Sequence, residues 1–254
     1  MNINFDLKLA EKYNSNSQKI RILTEAWVGN KIYCPNCGDK IENYTNNKPV
    51  ADFFCRKCSE DFELKSKKGK IGKKIIAGSY AKMIERLNSK QNPHFFFMGY
   101  LETFSVNDFF VVPKYFFVSE IIEKRKALSE NARRAGWIGS NILFFKIPDS
   151  GKIFYIENGA EIDKEKVLEK WRKTAFLKKI KQIELRGWIL DIMNCIDSLN
   201  KKEFSLQNIY AFENNLAIIH PENNNIKPKI RQQLQFLRDK GYLEFIAPGK
   251  YKLT

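Results

Sequence analysis

Two kinds of metal chemistry are interleaved in the stretch of sequence from residue 34 to residue 65. Its cysteines form two C-x-x-C pairs, Cys34 with Cys37 and Cys55 with Cys58, which flank residues 38–54. This spacing is typical of a four-cysteine zinc ribbon. Because four thiolates fill every position around a tetrahedral zinc ion, the predicted Zn²⁺ site is structural and not catalytic. We expect the zinc to hold the hairpin between the cysteines in shape.

Three charged residues around the second cysteine pair form a candidate magnesium site. Asp52 precedes the pair, and Glu63 and Lys65 follow it as Glu-x-Lys. If residues 55–58 form the tip of a hairpin, Asp52 lies nearly opposite Glu63, and two facing carboxylates repel unless a cation lies between them. Mg²⁺ prefers such hard oxygen ligands, with the carbonyl of Leu64 as a third. Lys65 would orient or deprotonate the attacking water, so the pattern predicts a Mg²⁺-dependent phosphodiesterase with these three charged side chains as its catalytic residues.

The two histidines disfavour one other class of nuclease. Zinc-containing HNH nucleases need a general-base histidine beside the catalytic metal. Here His94 opens an apolar strand pattern and His220 lies far along the chain. Both are interpreted as packed or surface residues and not as ligands.

The composition favours a polyanionic partner. The chain has 44 basic and 29 acidic side chains, which gives a net charge of +15. No apolar run approaches the roughly 18 residues that span a bilayer, and the first residues lack the pattern of a signal peptide. We therefore expect a cytoplasmic protein without a membrane partner. In that reducing compartment, paired cysteines favour zinc over disulfides.

Residues 1–182 alternate between helical and strand patterns. Apolar residues at three-to-four spacing predict helices near residues 20–28, over 75–88 and over 164–179. Dense apolar runs predict buried strands near residues 94–100 and 109–112. This alternation indicates an α/β domain over residues 1–182.

Residues 183–254 show a different pattern. A helix is predicted over 185–199, and Ser205 is a plausible N-cap for a second helix that runs to about Ile219. Pro228 suits the first turn of a third helix, and a short hairpin with a Pro-Gly turn follows. Three helices closed by a hairpin predict a winged-helix domain over 183–254. In its first helix, Cys195 is predicted to be a buried thiol.

Two groups of residues are predicted to contact DNA. Arg133 and Arg134 lie close to Trp137, and arginines suit groove edges while an exposed tryptophan can stack against bases. A tryptophan at such a position can equally belong to a core. In the third winged helix, the residues predicted to face the major groove are Lys229, Arg231, Gln232 and Gln235. Winged helices also mediate protein contacts, so a protein partner is the alternative there.

These residues belong to segments that resemble the DpnI-like, methyl-directed Type II restriction endonucleases, over essentially the whole chain. The resemblance is densest at residues 14–19, 34–38, 49–55, 62–69, 132–139 and 229–235. It implies an α/β, restriction-endonuclease-like core of the PD-(D/E)XK type with an inserted four-cysteine zinc ribbon, plus a C-terminal winged-helix domain. Carried over by position, Asp52 and Glu63 correspond to the metal ligands and Lys65 to the catalytic lysine. Ala51 stands where the superfamily pattern has proline, which only shapes the strand.

The resemblance also implies an activity and its partners. The expected reaction is hydrolysis of double-stranded DNA at G-N6-methyladenine-T-C sites, with catalytic Mg²⁺, structural Zn²⁺ and no obligate protein partner. Burial of one methyl group is worth only about 0.8 kcal/mol, roughly fourfold, so we hypothesise that both domains read the methylated site. Two alternatives are a zinc-ribbon, winged-helix regulator that binds DNA without cutting it, and a nuclease that acts on unmethylated DNA or RNA.

Overall fold

The computed structural model of the chain describes residues 1–44, 51–87, 89 and 92–254. Pro49 and Val50, which belong to one segment of the resemblance, lie outside these ranges. The helices within residues 1–182 are α1 (Asn16–Lys31), α2 (Tyr80–Leu87) and α3 (Lys164–Thr174). The strands are β1 (Glu42–Asn43), β2 (Phe53–Phe54), β3 (Asp61–Lys68), β4 (Lys74–Ser79), β5 (His94–Tyr100), β6 (Val106–Val112), β7 (Ile122–Ala127), β8 (Ile138–Leu143), β9 (Ile153–Glu157) and β10 (Ala160–Glu161).

A seven-stranded sheet forms the centre of this part, in the order β1-β2-β3-β5-β6-β9-β10. Strands β3 and β5 run parallel, and the other neighbouring strands run antiparallel. Every residue of β5 is buried, because Phe95 and Phe97 face one hydrophobic cluster while Phe96 and Met98 face the other. Helices α1 and α3 cover the second side. A strand covered on both faces reads as a continuous apolar run, so the prediction of buried strands at 94–100 and 109–112 is confirmed.

A second, three-stranded sheet has the order β4-β8-β7 and corrects one prediction. The helix predicted over 75–88 begins only at Tyr80, because residues 74–79 form β4. Ile75 and Ala77 are buried, whereas Ile76 between them is exposed, which is the two-residue period of a strand. Ile76 and Tyr80 also satisfy a four-residue spacing, and this coincidence made the strand resemble the first turn of the helix.

Residues 183–254 form a three-stranded sheet packed against helices. The helices are α4 (Ile183–Ser198), α5 (Leu206–Tyr210), α6 (Glu213–Ile219) and α7 (Ile226–Asp239), and the strands are β11 (Glu203–Ser205), β12 (Leu243–Ala247) and β13 (Lys250–Leu253). Ser205 caps α5, since its hydroxyl accepts the backbone N–H of Asn208, as predicted. The second helix does not run unbroken to Ile219, because α5 ends at Tyr210 and α6 begins at Glu213.

The two parts of the chain share one hydrophobic cluster, to which Phe116 and Leu177 contribute from one side and Ile189 from the other. Polar contacts join them as well: Asn194 Nδ2 donates to the carbonyl of Lys146 at 2.8 Å. The division between residues 182 and 183 therefore stays a prediction. Cys195 in α4 is buried, as expected. Within the described ranges, every helix is too short or too polar to span a bilayer.

Candidate active site

The four paired cysteines converge on one point. Their sulfur atoms all lie within 4.8 Å of one another. The Sγ–Sγ distances are 3.4 Å from Cys34 to Cys58 and 3.5 Å from Cys37 to Cys55. Four thiolates about 2.3 Å from a tetrahedral zinc ion lie about 3.8 Å apart, so the cluster fits Zn²⁺. The predicted ligands are brought together, and this centre could hold zinc.

Each C-x-x-C pair closes with the same backbone turn. The N–H of Gly38 donates to the carbonyl of Cys34 at 2.8 Å, and the N–H of Ser59 donates to the carbonyl of Cys55 at 2.8 Å. Both Gly38 and Ser59 have a positive φ, 75° and 57°. Glycine adopts a positive φ readily and serine rarely does. The turn at Ser59 therefore depends on contacts with surrounding residues to hold this backbone conformation.

A buried carboxylate joins the second cysteine turn to the rest of the fold. Glu60 is 5% exposed, and its oxygens contact Lys178 Nζ at 2.6 Å, His94 Nε2 at 2.9 Å and Lys114 Nζ at 3.5 Å. Because His94 Nδ1 accepts the backbone N–H of Lys114, its Nε2 carries the proton and donates to Glu60. Burial acts to raise the pKa of Glu60, but the hydrogen bonds and charges of these partners outweigh it and lower the pKa. His94 is thus a packed residue, as the sequence indicated.

The hairpin of β2 and β3 brings the two candidate acids near each other. Phe53 pairs with Phe62, and the backbone N–H of Asp52 donates to the carbonyl of the same Phe62 at 2.9 Å, which leaves Asp52 about one residue from the position opposite Glu63. The Oδ2 of Asp52 accepts the backbone N–H of Leu64 at 2.7 Å. The carbonyl of Leu64 as a magnesium ligand stays a prediction. Burial raises the pKa of Asp52, the Leu64 hydrogen bond lowers it and repulsion from Glu63 raises it, so its net pKa is raised.

Two cations surround the carboxylate of Glu63. Its Oε1 contacts Lys65 Nζ, and its Oε2 accepts from Arg86 Nη1 at 2.8 Å. The side chain of Glu63 is 15% exposed, that of Lys65 24% and that of Arg86 28%. Water therefore screens the electrostatic interactions among these three side chains only in part. Asp52, Glu63 and Lys65 are therefore neighbours, as their spacing predicts. Arg86 on α2 is an addition that the sequence did not reveal, because only packing of α2 brings it to β3.

A groove of about 410 Å³ lies between β3 and α1. It borders Leu64 and Ser66, whose side chains alternate along β3 with those of Glu63 and Lys65. On its α1 wall Arg21 Nε donates to Glu25 Oε1 at 2.7 Å. The other lining residues are Asn16, Ser17, Ile20, Thr24 and Tyr100. The groove therefore lies on the face of β3 opposite to Glu63 and Lys65.

The predicted DNA-contacting loop lies between β7 and β8. Arg133 and Arg134 are exposed, and Trp137 is half-buried. The guanidinium of Arg134 stacks on Trp137, with its Cζ 4.6 Å from the ring centroid. The six-membered ring of Trp137 lies over Gly139, where an added Cβ would come within 2.8 Å of the ring. Glycine at this position leaves room for the edge of the tryptophan ring beside the β8 backbone.

The residues of helix α7 that are predicted to contact DNA differ in their exposure to solvent. Arg231, Gln232 and Gln235 are exposed, whereas Lys229 is half-buried and its Nζ lies 5.9 Å from the ring centroid of Trp188. The opposite face of the helix buries Ile230, Leu234 and Leu237 completely. The helix therefore has the apolar inner face and polar outer face that the sequence predicts.

The chain matches two family models, which together cover nearly its whole length. The model described as DpnI, Dam-replacing family, matches residues 1–180, and the Dam-replacing HTH domain matches residues 184–253. A mixed α/β core with a large sheet, a four-cysteine cluster and a C-terminal HTH domain is the predicted fold class, which is confirmed. The chain therefore belongs to the DpnI, or Dam-replacing, family, and its resemblance to DpnI-like, methyl-directed restriction enzymes with a winged-helix C-terminus is confirmed.

Proposed function

We propose that the protein is a methylation-dependent restriction endonuclease that hydrolyses double-stranded DNA at G-N6-methyladenine-T-C sites. The observation that carries this proposal is the hairpin that brings Asp52 near Glu63, with Lys65 on the same face of β3 as Glu63. In this proposal, residues 1–182 form a PD-(D/E)XK nuclease with a structural Zn²⁺ at the four cysteines. Residues 183–254 form a winged helix that also contacts DNA.

The catalytic work is divided among three side chains. Asp52 and Glu63 would hold Mg²⁺, together with the carbonyl of Leu64, because carboxylates and carbonyls are its preferred ligands. When bound, the ion supplies stabilisation of the negative charge that develops on phosphate. Lys65 would exchange its contact with Glu63 for the attacking water, which its ammonium would orient, and it would stabilise the hydroxide formed as the water loses a proton to solvent. Neighbouring carboxylates repel each other, and Lys65 and Arg86 supply positive charge at Glu63.

Recognition is assigned to two surfaces. Arg133, Arg134 and Trp137 would approach the major groove from the nuclease part, and the exposed face of α7 would enter it from the winged helix. In a paired N6-methyladenine, the methyl group replaces the amine hydrogen that faces the major groove. An apolar surface such as the ring of Trp137 therefore suits the methylated base better than a hydrogen-bonding side chain does.

Digestion of one plasmid, prepared with and without adenine methylation at GATC, tests the proposal. Discrete fragments should form only from the methylated plasmid and only with Mg²⁺. If neither plasmid is cut while both are bound, the protein is a DNA-binding regulator, in which the ion-paired Glu63 needs no metal. Equal cutting of the two plasmids would support nuclease activity but contradict the requirement for methylated adenine.

The ion pair between Arg86 and Glu63 leads to a separate prediction. Replacement of Arg86 by methionine should lower the cleavage rate roughly 10- to 100-fold, because Glu63 loses the contact that orients it. The same change should lower the Mg²⁺ concentration for half-maximal rate, because a competing positive charge is removed from the carboxylate. Both values come from cleavage rates measured across a Mg²⁺ titration.

Two further variants distinguish the orienting contact of Arg86 with Glu63 from a general effect of positive charge. Arg86→Lys keeps a cation at this position and should retain most of the wild-type Mg²⁺ dependence. Lys82→Met removes a positive charge from an exposed position one turn before Arg86 on the same helix and should leave the dependence unchanged. A Mg²⁺ midpoint that rises in Arg86→Met would contradict the assigned role.

A further inference from the structure

Strand β3 has an open edge beside the candidate active site. It pairs with β5 from Phe62 to Lys68, but with β2 only at Asp61 and Phe62. Within the residues that the structure describes, no other strand pairs with β3 on the β2 side. The N–H of Leu64 on this edge donates to the carboxylate of Asp52 instead. The predicted magnesium site therefore lies at an edge of the sheet, where a DNA strand can pass from one face to the other.

Helix α1 lies along this edge on the face of β3 opposite to Glu63. The groove between them is lined by Ser17 and Arg21 from α1 and by Leu64 and Ser66 from β3. Arg21 contributes a positive charge to the groove wall, and 59% of its side chain is exposed. A phosphate group in the groove can therefore reach the guanidinium.

Glu25 holds the guanidinium of Arg21 by one nitrogen. Nε of Arg21 donates to Oε1 of Glu25 at 2.7 Å, and the Glu25 side chain is only 19% exposed. Among the described residues the contacts of Arg21 use Nε alone, which leaves both Nη groups for other partners. An exposed ion pair between residues four apart on a helix adds little stability. A guanidinium held at Nε is well suited to bind a phosphate through its two Nη groups.

Electrostatic effects show that Arg21 and Glu25 are near Asp52. The hydrogen bond and the charge of Glu25 raise the pKa of Arg21, burial lowers it, and the charge of Asp52 raises it further. Burial raises the pKa of Asp52, the Leu64 hydrogen bond lowers it, and the charges of Glu63 and Glu25 raise it. Charges more than roughly 10 Å apart in water are largely screened, so Arg21 lies within about that distance of the predicted magnesium site.

We propose that Arg21 binds a phosphate of the cleaved DNA strand next to the scissile phosphate, in the groove between α1 and β3. The inference rests on the proposed function and deepens it, since it names a residue that positions the substrate at that site. A strand whose scissile phosphate lies at the open edge of β3 crosses this edge, which brings a neighbouring phosphate to the groove. Arg21 would fix the register of the strand there, and its charge would offset the carboxylates of Asp52 and Glu25 as the DNA approaches.

Single methylphosphonates test this contact, because each removes the charge of one phosphate. A set of adenine-methylated GATC duplexes carries one such group at successive positions of one strand. The cleavage rate of each is measured with the full chain and Mg²⁺, with enzyme in excess of DNA but below the dissociation constant. A methylphosphonate at the scissile position should block cleavage by every variant, which identifies that position.

Arg21→Gln should lower the cleavage rate of the unmodified duplex roughly tenfold, the effect of one lost hydrogen bond to a charged group. In the wild-type protein, a methylphosphonate at one position next to the scissile phosphate should lower the rate by a similar factor. In Arg21→Gln the same methylphosphonate should lower the rate no further, because the two changes remove the same interaction. An Arg21 that only stabilises α1 would leave the sensitivity to that phosphate unchanged.

Two companion variants control for charge and for the fold. Arg21→Lys keeps a positive charge without the planar guanidinium, so it should recover part of the rate and of the phosphate sensitivity. Lys31→Met removes a positive charge from an exposed position in the last turn of α1, about 15 Å along the helix from Arg21. It should keep the wild-type rate and the wild-type pattern of sensitive phosphates. Thermal unfolding of each variant excludes an effect that comes from loss of the fold.

The outcomes distinguish this contact from the proposed function. If the wild-type protein leaves the unmodified methylated duplex uncut, the proposed function and the contact are both contradicted. If the wild-type protein cuts it and Arg21→Gln keeps the whole pattern of sensitive phosphates, the nuclease stands and the contact is overturned. A pattern changed equally in Lys31→Met would also overturn the assignment to Arg21.

Discussion

Replacement of Lys65 by alanine is expected to lower the cleavage of methylated GATC DNA by roughly 10²- to 10⁴-fold, the usual contribution of a positioned general acid or base. Lys65 contacts Glu63 and is only 24% exposed, so its ammonium is confined to the face of β3 where we propose that Mg²⁺ binds. Binding of the methylated duplex should change little, since the proposed recognition surfaces lie elsewhere. The measurement is the single-turnover cleavage rate together with the dissociation constant without Mg²⁺.

Lys67→Ala is the matched control for this experiment. Lys67 follows Lys65 by two residues on the same strand and points to the same side, but it is exposed. The Lys67→Ala protein should retain the wild-type cleavage rate within a fewfold. Lys67 carries the same charge as Lys65 but lacks the contact to Glu63. If the Lys65→Ala protein cleaves as fast as the Lys67→Ala protein, Lys65 is not a catalytic residue.

Removal of zinc is expected to abolish cleavage even when Mg²⁺ is in excess. Structural zinc contributes an apparent free energy of roughly 10–16 kcal/mol, and without it nothing links the two cysteine pairs. The turns at Gly38 and Ser59 should then open. Because the same hairpin holds Asp52 near Glu63, the predicted magnesium site should be lost with it.

A zinc-selective chelator and the variant Cys37→Ser test this prediction. Zinc content is measured by mass spectrometry, and hydrogen exchange follows the backbone amides of Asp52 and Leu64, which are hydrogen-bonded in the folded hairpin. Both amides should exchange faster while α7 keeps its protection. Cys195→Ala, which removes a buried thiol outside the cluster, should retain both zinc and cleavage. Zinc-free protein with protected amides and full activity would show that the cluster is dispensable.

The hairpin and the zinc centre were predictable because their geometry is local. Two C-x-x-C pairs on either side of residues 38–54 can meet in one tetrahedral site with few alternative arrangements. Once they meet, the hairpin brings Asp52 near Glu63, and the two-residue period of a strand places Lys65 on the same face as Glu63. The buried strand of residues 94–100 was equally clear, since a strand covered on both faces has to be apolar throughout.

The boundary between strand and helix at residues 74–80 was not predictable from spacing. Ile76 and Tyr80 fit a helical period, and the decisive factor is the pairing of β4 with β8, a strand far along the chain. Such pairings depend on which segments pack together in the whole molecule. The same pairing leaves the side chain of Ile76 exposed, between the buried Ile75 and Ala77.

The sequence by itself determined the two metal-binding patterns, the basic character of the chain and its two-part organisation into α/β and winged-helix segments. Each of these depends on spacings or totals within short stretches of chain. The tertiary structure alone decided that Arg86 reaches Glu63 and that Glu60 meets His94 and Lys178. In these cases the partners are 23 to 118 residues apart, and each contact exists only because the burial of apolar faces brings separate elements together.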